Sequence, residues 1–182
     1  EMLEFLPRAE LSETSLVARH FHPDEIRAIH ARYTCPIVFV ALGMSAQFTQ
    51  PVSVEGVEAH FYVTEGVPLT GSNVTVIPHS TLHTQDYVAA ADYVITKAGW
   101  GTVAECLLAQ KPMALFARDS VLEDRTTIRK LEQKKLGIKV TYEQLTEMSD
   151  LLEQMKQITY PAVPEYHNAA AEIVSKLLTL TE

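Results

Sequence analysis

The feature that most constrains this chain is a short apolar run that ends in two closely spaced glycines. Residues 93–96 (Tyr-Val-Ile-Thr) are β-branched or aromatic, which predicts a buried strand. Gly99 and Gly101 follow, and we expect them to let the backbone turn sharply and to leave room for a ligand above it. A helix is predicted over residues 101–110, with Thr102 in its first turn. The segment therefore predicts a strand, a glycine turn and a helix in close succession.

Such a unit predicts an anion site. The first amides of a helix have no carbonyl partner within the helix, and the helix dipole is positive at this end, so phosphate is favoured there. Glu105 lies about one turn inside the helix, where its carboxylate could accept hydrogen bonds from ribose hydroxyls. A nucleotide site is one interpretation. The alternative is that the glycines only allow close packing of strand and helix, as in many α/β proteins.

The same residues also satisfy a dinucleotide-binding pattern. Gly99, Gly101 and Ala104 fit Gly-x-Gly-x-x-Ala, and Asp119 lies at about the distance of a ribose-binding acid. That fingerprint belongs after the first strand of its sheet, whereas several strand-like segments precede it here. An NAD-binding oxidoreductase therefore stays open as the less favoured alternative.

Composition narrows the class of protein. The 182 residues, 47% of them hydrophobic, suit one domain with a sizeable core. The net charge of −8 argues against a nucleic-acid partner. No run reaches transmembrane length. Cys35 and Cys106 fall in apolar segments, which predicts buried thiols and a cytoplasmic location. We expect no metal site and surface positions for the histidines that share no ligand spacing, which are His20, His22, His30, His60 and His167.

Strand and helix patterns alternate along the chain. Residues 1–22 lack a clear period and are interpreted as a linker or arm, followed by one domain over residues 23–182. The predicted strands are 36–42, 59–64, 74–77, 93–96, 113–117 and 138–140, and the predicted helices are 23–33, 85–91, 101–110, 123–135 (with Gly137 as its C-cap glycine) and two at the end of the chain. This alternation predicts an α/β fold, a Rossmann-like doubly wound parallel sheet of about six strands with helices on both faces.

The last two predicted helices carry apolar residues at helical spacing, so we expect both to pack on the core without any cofactor. One stripe comprises Leu145, Met148, Leu151, Leu152 and Met155, and the other comprises Ala169, Ile173, Val174, Leu177 and Leu178.

Ligands of such sheets bind beyond the carboxyl ends of the strands. Four segments leave those ends here, residues 43–45, 78–83, 97–102 and 118–127. We expect them to line one crevice.

Residues 95–105 (Ile-Thr-Lys-Ala-Gly-Trp-Gly-Thr-Val-Ala-Glu), followed by Lys-Pro at 111–112 and Glu-Asp-Arg at 123–125, resemble the nucleotide-sugar half of GT-B glycosyltransferases. The segment is similar to the signature of the UDP-glycosyltransferases, Thr-His-Cys-Gly-Trp-Asn-Ser. It also resembles the N-acetylglucosaminyltransferase that makes lipid II, in which a glycine-rich turn is followed by a ribose-binding Glu and an Asp-Arg-Gln-Gln segment. The resemblance covers roughly residues 36–140.

The resemblance implies a set of donor-binding residues. Glu105 would bind the ribose, Gly101 and Thr102 would hold the diphosphate, and Lys97 would face phosphate. The adjoining Gly99 and Trp100 belong to the same donor-binding set. The remaining implied contacts are Gly43 and Ser45 in a phosphate-cradling loop, Leu82 and His83 at the base, and Asp124 and Arg125 at the donor sugar. The catalytic residues remain unknown. One departure is that Thr126 and Thr127 follow Arg125, where the family often has Gln.

The resemblance implies one half of a hexose-transferring glycosyltransferase. It would use a nucleotide-sugar co-substrate, expected to be a UDP-sugar, with no further cofactor and no required metal. The acceptor is unknown, and a second Rossmann-like domain of the same parent chain or of another subunit would complete the cleft. Peripheral membrane association would come only through that second half. A non-catalytic nucleotide-sugar-binding or interaction domain remains an alternative.

Overall fold

A computed structural model describes residues 13–42, 50–118 and 121–179. Its strands are β1 (Ile37–Ala41), β2 (Val52–Ser53), β3 (His60–Thr64), β4 (Leu69–Thr70), β5 (Val74–Ile77), β6 (Tyr93–Lys97), β7 (Met113–Phe116) and β8 (Gly137–Lys139). Its helices are α1 (Pro23–His30), α2 (Thr84–Ala90), α3 (Trp100–Leu108), α4 (Leu122–Gln133), α5 (Tyr142–Thr146), α6 (Met148–Met155) and α7 (Ala170–Thr179).

Six strands form one parallel sheet in the order β5-β3-β1-β6-β7-β8. Counted along the chain within this sheet, the order is third, second, first, fourth, fifth and sixth, which is the arrangement of doubly wound nucleotide-binding folds. The first strand, β1, lies at the centre and pairs with β3 on one side and β6 on the other. The predicted six-stranded parallel sheet is confirmed. The sequence did not predict β2 and β4, which pair only with each other in a small second sheet.

Both faces of the main sheet are covered. On one face, α1 to α4 contribute buried apolar side chains such as Ile29, Val88, Val103 and Ile128. On the other face, the core contains side chains from the β2–β4 sheet, α5 and α6, among them Leu145 and Leu151. Because alternate residues of a strand point to opposite faces, the continuous apolar runs of the central strands supply both cores.

Gly137 is not the C-cap of the helix before it, contrary to prediction. The helix α4 ends at Gln133, and Lys135 takes the left-handed conformation instead, with φ of 57°. Gly137 begins β8, where an added Cβ would lie 3.2 Å from the carbonyl oxygen of Met113. The glycine therefore allows close approach of β8 to β7, and a lysine ends the helix.

The two stripes at the end of the chain behave differently. The apolar stripe over residues 145–155 is buried as predicted, although its residues divide between α5 and α6. The second stripe is not core, because no residue of α7 is buried and the side chains of Val174 and Leu177 are 55% and 58% exposed. Ala169, just before α7, is buried.

Two expectations about individual residues are also wrong. His60 is buried instead of exposed, because its ring stacks on Tyr33 at a centroid distance of 3.6 Å and its Nε2 lies 3.0 Å from the Thr75 hydroxyl. Cys35 is exposed, whereas Cys106 is buried as expected. Within the described ranges, no helix combines the length and apolarity needed to cross a bilayer.

Candidate functional site

The candidate site lies at the centre of the sheet, where the strand order reverses between β1 and β6. In folds of this kind, the connections that follow the two strands at such a reversal run to opposite sides of the sheet, which opens a crevice there. The loop after β6 carries Gly99. Of the loop after β1, Gly43 and Ser45 lie outside the described residues, so their predicted phosphate contacts stay predictions.

The turn after β6 presents the amino end of α3 at this crevice. Gly99 is the N-cap residue, with φ of −73° and ψ of 129°, so its conformation is one that any residue adopts. The first amide that bonds back within the helix is that of Val103, which donates to the Gly99 carbonyl at 3.1 Å. The amides of Trp100, Gly101 and Thr102 precede this bond and have no intrahelical acceptor.

Gly101 is not required by the packing of the protein. A Cβ added there would meet nothing within 4 Å, and the residue is exposed at the start of α3. The expectation that the glycines are needed for a sharp turn is therefore wrong for Gly99 and Gly101, neither of which has positive φ. Among the described residues, the space beside Gly101 in the first turn of α3 is therefore open.

Glu105 is buried one turn inside α3, with its side chain only 4% exposed. Arg19 contacts both oxygens of its carboxylate, with Nε 2.7 Å from Oε1 and Nη2 3.3 Å from Oε2. A buried carboxylate needs such partners because its desolvation is costly. Arg19 belongs to the segment that we interpreted as a linker or arm, yet here it reaches a predicted ribose-binding residue.

The same guanidinium joins Glu105 to the start of α2. Its Nη1 donates to the carbonyl oxygen of Leu82 at 3.4 Å, and its Nη2 donates to the Thr84 hydroxyl at 3.0 Å. The side chain of Leu82 is 79% exposed. His83 follows as the N-cap residue of α2, and its ring lies 4.6 Å from that of His22. The structure thus brings together the residues predicted for the ribose and for the base.

Asp124 and Arg125, the two residues predicted to contact the donor sugar, lie in different environments. Asp124 is completely buried in the first turn of α4, where it accepts hydrogen bonds from Arg118. The hydrogen bond from Arg118 lowers the pKa of Asp124, and the positive charge of Lys97 lowers it further. Arg125 is exposed. Asp124 therefore binds Arg118, which follows β7 at the carboxyl edge of the sheet. A direct contact of Asp124 or Arg125 with a sugar stays a prediction.

A cavity of about 180 Å³ opens beside the half-exposed indole of Trp100. Its walls come from α3, α4 and two flanking segments, and include Leu16, Val103, Leu107, Thr126 and Thr127. Trp100 thus lines a cavity that it shares with residues of α4.

Sequence reasoning missed two functional candidates, Arg19 and Arg118. A signal existed for the first, since Glu105 is the one charge among the apolar residues of α3 and requires a cation if buried. Nothing in the pattern indicated which of the 15 Lys and Arg residues would supply it.

Solved structures show the same fold. SnogD from Streptomyces nogalater matches with a TM-score of 0.54 and 20% identity, over 82% of this chain and 44% of that one. The calicheamicin glycosyltransferase CalG4 matches with a TM-score of 0.53 and 17% identity, over 82% of this chain and 45% of that one. VinC, a glycosyltransferase solved in complex with DTDP, matches with a TM-score of 0.58 and 15% identity, over 94% of this chain and 49% of that one. This chain spans less than half the length of each. No curated protein sequence matches it significantly.

A family model settles the assignment. The model of the glycosyltransferase family 28 C-terminal domain matches residues 41–180, which is most of the chain. The match begins at the last residue of β1 and covers β6, α3 and α4, which carry most of the candidate site. The dinucleotide alternative loses support, since the Gly-x-Gly turn follows the fourth strand of the main sheet in chain order. The chain belongs to the glycosyltransferase family 28 C-terminal domain family, the nucleotide-sugar-binding half of a GT-B fold.

Proposed function

We propose that this domain binds a nucleoside diphosphate sugar, with UDP as the nucleotide, and forms the donor side of an enzyme that transfers a hexose-type sugar. The observation that carries the proposal is the position of the free α3 amides and Glu105. Both lie at the carboxyl end of β6, beside β1, where the strand order reverses. A diphosphate would lie on the amides and the ribose on Glu105.

The chemistry needed from this half is stabilisation of the leaving diphosphate. Donors that are fixed before the reaction stabilise developing charge at little reorganisation cost. The α3 amides are such donors, and Lys97 at the end of β6 adds a cation whose field reaches Asp124. This arrangement would allow transfer without a metal ion.

The acceptor and the catalytic base would come from a second Rossmann-like domain. The support is that this chain spans only 44–49% of the three solved glycosyltransferase chains described above. Proximity and orientation are worth as much as ~7–11 kcal/mol of a barrier. We therefore expect no sugar transfer from a UDP-sugar by the 182-residue chain alone. Transfer at ordinary enzymatic rates by the isolated chain would contradict this.

One observation favours a second candidate, a nucleotide-sugar-binding domain without catalysis. The Thr126 hydroxyl donates to the Leu122 carbonyl within α4 at 3.1 Å, and Thr127 is buried. The Thr126 hydroxyl is thus bonded within its own helix and Thr127 is buried, at positions where the resemblance leads us to expect a sugar-reading amide. Donor turnover by the chain combined with its second domain would separate the two candidates.

Calorimetry with UDP, uridine and NAD tests the binding function. We expect UDP to bind and NAD not to bind. Glu105→Gln should weaken UDP binding about tenfold or more, since hydrogen bonds to a charged group contribute about 1.5–3 kcal/mol. Glu153→Gln, an equal charge change at an exposed position of α6, should have no effect. Binding of NAD without any response to UDP, or an unchanged affinity in Glu105→Gln, would overturn the proposal.

A further inference from the structure

Arg19 is not among the predicted donor-binding residues, yet its side chain contacts two of them, Glu105 and Leu82. Its guanidinium lies between the carboxylate of Glu105, the carbonyl of Leu82 and the hydroxyl of Thr84. Two of these three groups are the ones predicted to meet the ribose and the base. Arg19 therefore either blocks the nucleoside or prepares its site.

The hydrogen-bonding capacity of Glu105 indicates that Arg19 prepares the nucleoside site and does not block it. Each oxygen of an ionised carboxylate has two acceptor positions. Arg19 donates once to each oxygen, through Nε at 2.7 Å and Nη2 at 3.3 Å. Within residues 13–42, 50–118 and 121–179, no other donor reaches these oxygens, so one acceptor position on each remains. Two positions are the number that the two hydroxyls of a ribose require.

The difference in burial between Glu105 and Arg19 also favours a role for Arg19 in preparing the nucleoside site. The Glu105 side chain is 4% exposed, whereas that of Arg19 is 49% exposed. Without the guanidinium, a buried carboxylate would lose its charged partner, which is costly. The side-on contact through two nitrogens also fixes the plane of the carboxylate, because both groups are planar.

Arg19 is itself held in place by its neighbours along the chain. The Gln85 side chain donates to the carbonyl of His20 at 2.9 Å. Two residues further, His22 is bound by Asp86, whose Oδ1 accepts from the His22 backbone amide at 2.9 Å and whose Oδ2 lies 2.8 Å from Nδ1. Asp86 is 1% exposed. Residues 19–22 are therefore fixed on the first turn of α2, and Arg19 starts from a fixed backbone.

We infer that Arg19 is a positioning residue for nucleoside binding: it orients and neutralises the Glu105 carboxylate so that its remaining acceptor positions face the ribose hydroxyls. The inference rests on the proposed function. It adds a residue outside the predicted donor-binding set and assigns the segment before α1 a role in the site.

The test compares UDP with its 2′,3′-dideoxy analogue, using calorimetry on wild type, Arg19→Ala, Arg19→Lys, Glu105→Gln and the double variant Arg19→Ala/Glu105→Gln. We expect Arg19→Ala to weaken UDP binding about tenfold and to change binding of the dideoxy analogue less than threefold. Arg19→Lys should lie between wild type and Arg19→Ala. Arg19→Ala should have no further effect when Glu105→Gln is already present.

Arg27→Ala, on the exposed surface of α1, is the matched control. Thermal unfolding checks that each variant is folded, and Arg19→Lys remains informative if Arg19→Ala does not fold. Tighter UDP binding in the Arg19 variants would show a blocking role and overturn the inference, as would unchanged binding or an equal loss for both ligands. If wild type binds neither UDP nor another nucleoside diphosphate, the proposed function fails and the inference fails with it. If wild type binds UDP but Arg19→Ala binds it equally well, only the inference fails.

Discussion

Arg118 donates three hydrogen bonds to the carboxylate of Asp124. Its backbone amide and Nε lie 3.0 Å and 2.8 Å from Oδ2, and its Nη2 lies 2.7 Å from Oδ1. Asp124 is fully buried in the first turn of α4, while Arg118 follows β7. The pair therefore fixes the start of α4 relative to the carboxyl end of the sheet, at the edge where the candidate site lies.

Asp124→Asn should lower the free energy of unfolding by about 1–3 kcal/mol, since it leaves the Arg118 guanidinium with a weaker acceptor in a buried place. Urea unfolding measures the change. Asp150→Asn, at an exposed position of α6, is the control and should change stability by less than about 0.5 kcal/mol. Equal stability of the two variants would show that the Asp124 pair contributes little.

Lys97→Met should weaken binding of UDP much more than binding of uridine, because uridine has no anionic group for Lys97 to attract. The affinity of the variant for UDP should also fall less steeply as salt rises, since one screened attraction has been removed. Calorimetry at two salt concentrations measures both effects. Lys139→Met makes the same charge change at the end of β8 and should leave both ligands unaffected. Equal losses for UDP and uridine would mean that Lys97 does not act on the diphosphate.

Gly137→Ala should destabilise the protein by about 1–3 kcal/mol, the usual range for overpacking. The added methyl would lie 3.2 Å from the Met113 carbonyl and 3.3 Å from a methyl of Leu115, so β8 must move away from β7. Gly101→Ala is the control, because its methyl meets nothing and alanine favours a helix. Thermal unfolding compares them. A midpoint for Gly137→Ala at or above that of Gly101→Ala would refute the close-approach argument.

His60 should make stability depend on pH near neutrality. Burial lowers the pKa of His60 below its ordinary value of 6.5, so the unfolded chain binds more protons than the folded one. The contribution is therefore complete above about pH 6.5 and is lost as the pH falls below that value. Unfolding free energies measured at about pH 7.5 and 5.5 should differ more in wild type than in His60→Phe.

The control for His60 is His30→Gln, because His30 is exposed at the end of α1. This variant should retain the wild-type dependence on pH. The same slope in His60→Phe as in wild type would assign the dependence to other groups.

Much of the fold could be predicted because its signals are local. The β-branched run at 93–96, the neighbouring runs and the alternating helices predicted a six-stranded parallel sheet. Residues 37–41 of β1 and 60–63 of β3 are continuously apolar or aromatic because both faces of these inner strands are buried. The strand–turn–helix unit at 93–105 likewise predicted free amides at the start of α3, since helix termini leave such groups by their geometry.

Other features depend on which distant segments meet. The apolar stripe of α7 has the same spacing as that of α5 and α6, and spacing cannot show whether a face finds a partner. Gly137 follows a helix closely enough to suggest a C-cap, but its use is set by the Met113 carbonyl of a neighbouring strand. His60 is polar in sequence, and only the stacking on Tyr33 explains its burial.

The sequence by itself determined the six strands of the main sheet, their parallel arrangement and the position of Glu105 in the first turns of a helix after a glycine turn. Tertiary structure alone decided which cations pair with two of the buried carboxylates, Arg19 with Glu105 across 86 positions and Arg118 with Asp124 across six. The physical reason is that periodicity reports which way a side chain faces along its own element. Burial of a charge must be compensated by whichever opposite charge the fold brings within hydrogen-bonding distance.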